Sequence, residues 1–284
     1  MIRFARDEDQ TQLKALWQEA FGDSSAAINF YFSNRHKNEN MLVAEVDGQI
    51  AAMLTMLPMQ LAFGTDMRRC RYVYAVATAK IYRGQGISSG LLSYCHDFMQ
   101  KNGETASILV PASDHLFEFY GKRGYKTEFF VENFTLNSID LPPCPQDAVC
   151  MPCSSADFFR LRNSAFSNHS IFVQWDENAL GYIIKSNAAF GDGVYYFRTA
   201  FGEGCAVCGW RERKIFIREI AALDIDMPTA VSILHQTLGA EEYVLRLPAG
   251  SIKGSVSQPF GMIHYLGDIP ELHGKSPYLS LVLD

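Results

Sequence analysis

The chain lacks any apolar run close to the roughly 18 residues that a membrane-spanning helix needs, so no helical span is expected. It also lacks both G-x-G-x-x-G and G-x-x-x-x-G-K-[ST], which removes the dinucleotide and P-loop sites that those spacings mark. Basic residues are in the minority: 25 Lys and Arg stand against 31 Asp and Glu, a formal net charge of -6. Polyanion-binding surfaces carry the opposite balance, so nucleic acid is not an expected partner and a basic substrate suits the chain better. The opening MIRFARDEDQ does not read as a signal peptide, and the expected location is the cytoplasm, away from membranes.

Cysteine is present but in an odd number, seven, which argues against a disulfide framework and for buried free thiols. Two C-x-x-C pairs, Cys150/Cys153 and Cys205/Cys208, raise the question of zinc. About fifty residues separate them, well beyond the ribbon-like spacing of roughly 15 to 20. The second pair also lies in a strand-like run whose positions 205 and 208 face opposite sides. No metal is expected.

What is there is an ordinary globular composition, 48% hydrophobic and 20% charged over 284 residues, long enough for two domains. Leu141-Pro-Pro-Cys-Pro marks the boundary, since prolines so close together continue neither a helix nor a central strand. The expected domains are 1–140 and 148–284. The first half alternates strands and helices, with Asp47-Gly48 as a hairpin turn and a last strand at 127–136. The second half repeats that order faintly, and its Leu245-Arg-Leu-Pro-Ala-Gly echoes Ile108-Leu-Val-Pro-Ala-Ser at an offset of 137 residues. The closing run Pro277–Asp284 reads as a strand that completes the second sheet or crosses back to the first.

The most informative stretch is Val73–Leu92, VYAVATAKIYRGQGISSGLL: a β-branched and aromatic strand, a glycine turn, then the helical pattern Leu91, Leu92, Cys95, Phe98, Met99. Gly84 and Gly86 admit positive φ and leave backbone N–H groups open. Successive N–H groups there make an anion nest, and the helix behind adds its partial positive charge, so a diphosphate is the natural ligand. Arg83 adds a charge, Gln85 and Ile87 complete the turn, and Ser88 and Ser89 offer hydroxyls. The alternative for these residues is an ordinary surface turn. The matching place in the second half, Ala222-Leu-Asp-Ile-Asp-Met-Pro, has no glycine, no base and two acids that repel phosphate.

Arg83-Gly-Gln-Gly-Ile-Ser88 resembles motif A of the GNAT N-acetyltransferases, R-x-x-G-x-[GA], with Ser88 standing where the family prefers Gly or Ala. About thirty residues on, Pro111–Lys126 resembles motif B. Its Ala112-Ser113 and Tyr120-Gly-Lys-Arg-Gly-Tyr125 are similar to the tandem-domain, Eis-type members. The resemblance implies two tandem GNAT-like domains of α/β class, each a mixed, mostly antiparallel sheet flanked by helices, the second degenerate. It implies acetyl-CoA as co-substrate, with the backbone of Val76, Ala77 and Thr78 meeting the pantetheine amides and His115 and Leu116 near the cofactor. Tyr120 is then the general acid for the departing thiolate, its alternative being a core aromatic on an amphipathic helix. The acceptor is a primary amine of a small molecule or peptide.

A lysine-like amine of pKa about 10.4 is neutral in only about 1 of 2500 molecules at pH 7, so a base or water chain is required. Tyr72 to Thr78 holds no Asp, Glu or His. Glu45 and the α-carboxylate of Asp284 are the candidates, with a solvated strand face as the alternative for Glu45. Ser113 and Cys95 have no histidine partner nearby in the two motifs, which favours direct transfer over an acyl-enzyme. Two other functions fit the same residues: a non-catalytic acyl-CoA-binding regulatory protein, and a transferase of a longer acyl chain.

Overall fold

Asp47 and Gly48 both adopt positive φ, 50° and 76°, and turn β2 (Met41–Val46) back into β3 (Gln49–Phe63), the geometry for which a two-residue Asp-Gly hairpin is suited. This is a computed structural model that describes residues 1–270 and 272–282. The chain divides into two units: Met1–Leu61, Met67–Thr127 and Gly261–Glu271 form the first, and Ala62–Asp66, Glu128–Phe260 and Leu272–Asp284 the second. No helix among the described residues is long and apolar enough to cross a membrane.

In the first unit the strands run in the order β1 (Ile2–Phe4), β2, β3, β4 (Asp66–Thr78), β5 (Ala106–Leu109) and the far end of a late strand, Gln258–Tyr265. β1 and β3 flank β2 antiparallel, β4 and β5 are parallel, and Met262 to Tyr265 pair antiparallel with Leu109 to Ala106. Helix α1 (Gln10–Phe21) buries Leu13, Leu16 and Trp17 and ends at Gly22, whose φ of 73° lets its N–H close on Gln18. Helix α2 (Ser25–Asn34) is capped by Ser24, which accepts from Ala27 N at 3.2 Å. Helix α3 (Ile87–Lys101) carries Leu91, Leu92, Cys95 and Met99 at helical spacing into a core with Leu42, Leu54, Met56 and Val73. Each such aliphatic side chain contributes about 1.5–3 kcal/mol on burial. Helix α4 (Asp114–Gly121) follows β5 and adds Tyr120 to that core.

In the second unit the order is β6 (Lys126–Asn137), β12, β11, β10, β9, β7. The elements follow the chain as β7 (Val149–Pro152), α5 (Ser155–Phe166), β8 (Phe172–Gln174), α6 (Glu177–Ala189), β9 (Gly193–Arg198), β10 (Glu203–Arg211), β11 (Lys214–Leu223), α7 (Met227–Leu238), β12 (Glu242–Pro248) and β13, the Gln258–Tyr265 strand. Helix α7 packs Ala230, Val231, Ile233 and Leu234 against Phe197, Ile215, Ile217, Tyr243 and Leu245. Strand β6, expected to finish the first sheet, pairs antiparallel with β12 from Asn137↔Glu242 to Val131↔Pro248.

The closing run also differs from the strand expected there. Residues 277–282 form no strand: Tyr278 makes an isolated bridge to Phe172, and Leu279, Ser280 and Leu281 are buried. Ser280 Oγ donates to the carbonyl of Arg218 on β11 at 2.7 Å, and Arg246 on β12 donates to the Ser280 carbonyl at 3.1 Å. The segment is therefore held by hydrogen bonds across two strands rather than in a ladder with either. All seven cysteines are free thiols.

Candidate active site

The site begins where β4 leaves β5. Their parallel register covers only Cys70 to Tyr72 against Ala106 to Ile108. Three residues later Ala75 takes a φ of 52°, a left-handed conformation that costs a non-glycine residue about 1–2 kcal/mol. It redirects the strand end, and Val76, Ala77 and Thr78 line an open cleft of about 380 Å³. The Thr78 carbonyl is engaged, accepting from Arg83 Nε at 3.0 Å, whereas its buried hydroxyl has no partner among the described residues.

Next comes the turn. Gly84 and Gly86 have φ of 78° and 76°, with nothing within 4 Å of where a Cβ would sit, so the backbone angle and not crowding requires glycine. Gly86 caps α3 without a side-chain acceptor, which leaves the first-turn N–H groups of Ile87, Ser88 and Ser89 without intrahelical partners. Arg83, Gly84, Gly86, Ile87 and Ser88 line the cleft, while Gln85 and Ser89 do not. Gln85 donates to Ile81 O at 3.4 Å, and Ser89 Oγ is taken by Arg123. The turn is also fixed to α1: Lys80 N donates to Glu19 Oε1 at 2.7 Å, and Ala20 and Phe21 form a further wall of the cleft.

Helix α4 supplies the remaining wall through His115, Leu116, Phe119 and Tyr120. Against the expectation that Ser113 has no histidine partner, His115 Nδ1 lies 3.2 Å from Ser113 Oγ, although Ser113 itself does not line the cleft. Tyr120 is 7% exposed, and burial pushes its phenol up to about 12, with the Arg123 charge opposing. Its ring meets Tyr125 edge-on at 5.7 Å. Tyr125 in turn is held by Ser107 Oγ at 2.6 Å and His96 Nε2 at 3.0 Å, and His96 stacks on His264 at 4.2 Å. Gly124 has no room for a Cβ, which would sit 2.6 Å from the His264 ring.

Glu45, one of the two base candidates, does not join this group. Glu45 is bound by Arg3, whose Nε and Nη2 reach its Oε2 at 3.0 and 2.8 Å, so it is a structural ion-pair partner away from the cleft. Asp284 lies outside the described residues. Among the described residues no carboxylate lines the cleft. Sequence reasoning missed Ala20, Phe21, Tyr82 and Phe119 as wall residues and Arg123 behind them. Only Phe119 had a signal, its place inside the second motif.

Residues 1–127 match the profile of the acetyltransferase (GNAT) domain. Over that stretch, somewhat under half of the chain, the sequence is similar to a GNAT acetyltransferase domain. No curated protein matches the sequence. Among solved structures, a GCN5-related N-acetyltransferase from Anabaena variabilis is similar with a TM-score of 0.76 at 14% identity, over 94% of this chain and 73% of that one. Eis1 from Mycobacterium abscessus is similar at 0.69 and 11%, over 94% and 74%. A tandem GNAT protein from the clavulanic acid biosynthesis pathway is similar at 0.56 and 9%, over 95% and 100%. At such identities the likeness is one of fold: mixed α/β, mostly antiparallel, in the tandem GNAT arrangement. The match over residues 1–127 supports acyl transfer as the general class of activity.

Proposed function

We propose that the first unit binds acetyl-CoA and passes its acetyl group directly to a primary amine of a small molecule or peptide. The observation that carries this reading is one cleft holding an uncapped helix start, the Arg83 charge, the parted end of β4 and a protonated phenol. The residues fit the co-substrate: N–H groups behind Gly84 and Gly86 suit a diphosphate, the 76–78 backbone suits an amide-bearing arm, and Tyr120 faces the same space. The first unit takes the cofactor and the second is a GNAT-like unit without it, in the cytoplasm; the bounds expected from the sequence, 1–140 and 148–284, differ from these units in that 128–137 falls in the second and 261–271 in the first.

In the reaction the amine nitrogen bonds to the thioester carbonyl carbon, the C–S bond breaks, and its electron pair leaves on sulfur. The attacking amine sheds one proton to solvent. Tyr120 hydrogen-bonds the sulfur as charge develops. With its phenol near 12 and a thiol near 8.5, complete proton transfer is uphill by about 3.5 pKa units, about 5 kcal/mol, so the proton is shared in the transition state and replaced from solvent.

Calorimetric titration with acetyl-CoA tests the reading, with Arg83→Glu as control. One site per chain, lost in the variant, is expected, together with amine-dependent release of free CoA thiol. No heat from the wild type sinks the enzyme assignment. Binding with turnover unchanged in Tyr120→Phe points instead to an acyl-CoA-binding regulatory protein, and stronger competition by a longer acyl-CoA to a longer-chain transferase.

A further inference from the structure

Tyr120 gives the cleft an acid for the leaving sulfur, but the proton that the attacking nitrogen loses still needs an acceptor. Among the described residues the cleft walls carry four titratable side chains: Tyr82 and Arg83 before the first glycine of the turn, and His115 and Tyr120 on α4. The walls from α1, β4 and the start of α3 add none. A guanidinium has no acceptor site and a phenol keeps its own proton at neutral pH, so an imidazole is the one group there that can take a proton up.

His115 is also held in a way that a solvated surface histidine does not need. Ser113 occupies the N-cap of α4, where a serine hydroxyl ordinarily accepts from an amide of the first turn, and it makes no such bond. The Leu116 N–H closes on the Ser113 carbonyl at 3.0 Å instead, and the hydroxyl lies 3.2 Å from His115 Nδ1. The helix thus forgoes a side-chain cap, and the hydroxyl holds the imidazole. Ser113 does not line the cleft and His115 does, so the ring edge away from Nδ1, which carries Nε2, is the one left for the cleft. A serine oxygen that accepts from Nδ1–H suits both the neutral ring and the imidazolium, so this contact survives the uptake of a proton at Nε2.

We infer that His115 is the general base of the transfer, taking the proton of the attacking amine at Nε2, with Ser113 as the residue that positions the ring. The inference rests on the acetyl-CoA reading above. As the C–N bond forms, the nitrogen gives its proton to Nε2, directly or through one water, while the C–S electron pair leaves on sulfur. The imidazolium then returns the proton to solvent, to which His115 is exposed. His115 precedes Tyr120 on α4 by about 7.5 Å of helix rise, which leaves room for the reacting carbon between a base at one end and an acid at the other.

Nitrogen-15 NMR of the ligand-free protein reads the tautomer, and a proton on Nδ1 with Nε2 bare is expected. A proton on Nε2 overturns the inference, because that nitrogen then has nothing to accept with. Ser113→Ala should shift the ring toward the Nε2–H form and lower kcat about tenfold; an unmoved tautomer overturns the positioning role. Thiol release from acetyl-CoA is followed with phenethylamine and with lysine amide as acceptors. His115→Gln is expected to lower kcat about a hundredfold or more while calorimetry finds acetyl-CoA affinity within about twofold of the wild type, and free imidazole should restore part of the rate in His115→Ala. A kcat that survives His115→Gln, or a loss of affinity in step with the loss of rate, overturns the assignment and makes His115 a cofactor contact. A wild type that does not bind acetyl-CoA sinks the cofactor reading and the base together, and one that binds it but releases no thiol with either amine sinks the transfer and its base. A wild type that turns over, with His115→Gln as fast, sinks the base alone.

Discussion

The strand–turn–helix of the first unit and that of the second share a plan and differ at the two points where a ligand would sit. In both, a parallel pair parts after a few residues: β4 from β5 after Tyr72, and β11 from β12 after Ile217. In both, the longer strand is irregular near the parting, at Ala75 by its positive φ and at Arg218 by a bulge opposite Val207 and Cys208. Beyond it the first unit has an open helix start. In the second, Asp226 caps α7 with its own carboxylate, accepting from Thr229 N at 2.9 Å, and Pro228 removes a donor. The parted strands differ as well. Residues lining the cleft follow the break in β4, whereas the break between β11 and β12 is bridged by Ser280. The second unit satisfies with its own chain the groups that the first leaves for a ligand.

This difference predicts where each unit is fragile. In the second, Arg162 and Glu219 form a fully buried ion pair at 2.7 Å, and Tyr278 donates to the other Glu219 oxygen at 2.8 Å. Glu219→Ala leaves the guanidinium buried without a carboxylate, keeping only the Val173 carbonyl at 2.8 Å and the Phe172 ring, and urea unfolding should register a loss of about 3–5 kcal/mol. A loss under about 1 kcal/mol would mean that water reaches Arg162. The first unit is fragile to acid instead. Burial, and then the neighbouring His264, hold His96 down from 6.5 to about 4. The unfolded chain binds the proton first, so stability is full above pH 6.5 and falls as pH drops toward 4, by about 3 kcal/mol at most. His96→Phe, which removes the titration and keeps a ring against His264, should flatten that fall; an unchanged slope assigns the acid sensitivity elsewhere.

Most of the first site was legible because its signals are local. Asp47-Gly48, Gly84 and Gly86 carry their backbone angles in their residue types, and α4 carries its aromatic face in its spacing. What was not legible depends on distant partners. Gln258–Tyr265 contains Pro259 and Gly261, which count against a strand, and its place follows from pairing with β5 about 150 residues earlier. Phe21 enters the cleft because Glu19 ties α1 to Lys80 N, and Arg123 finds its partner in Ser89, 34 residues away in sequence and 2.5 Å away in space. The apolar run 278–282 has the composition of a strand, yet among the described residues its backbone pairing stops at Tyr278, which meets Ile171 and Val173, and its other hydrogen bonds go to the Trp175, Arg246 and Glu219 side chains and to the Arg218 carbonyl at the bulge. Glu45 fell out as a base for the same reason: nothing near it in sequence announces Arg3.

The turn itself offers a sharper test of the comparison. Gly86→Ala keeps every charge and its Cβ meets no atom within 4 Å, so its cost is confined to the left-handed φ of 76°. That strain of about 1–2 kcal/mol, or the relaxation that relieves it, should weaken acetyl-CoA binding about tenfold or more. Unchanged affinity would show that the N–H groups at this turn do not hold the phosphate.

The smallest effect asks which of the two differences keeps the second unit without a ligand. Ser280 is fully buried, and Ser280→Ala strips the Arg218 carbonyl of its side-chain donor, at a cost of about 1–2 kcal/mol in urea unfolding. Loosening the segment should create no site, because Asp226 and Pro228 still leave α7 with nothing to offer an anion. Calorimetry should therefore find the same single equivalent of acetyl-CoA as in the wild type. A second equivalent bound by Ser280→Ala would mean that the occupied break between β11 and β12, rather than the lost glycine turn, is what closes the second unit.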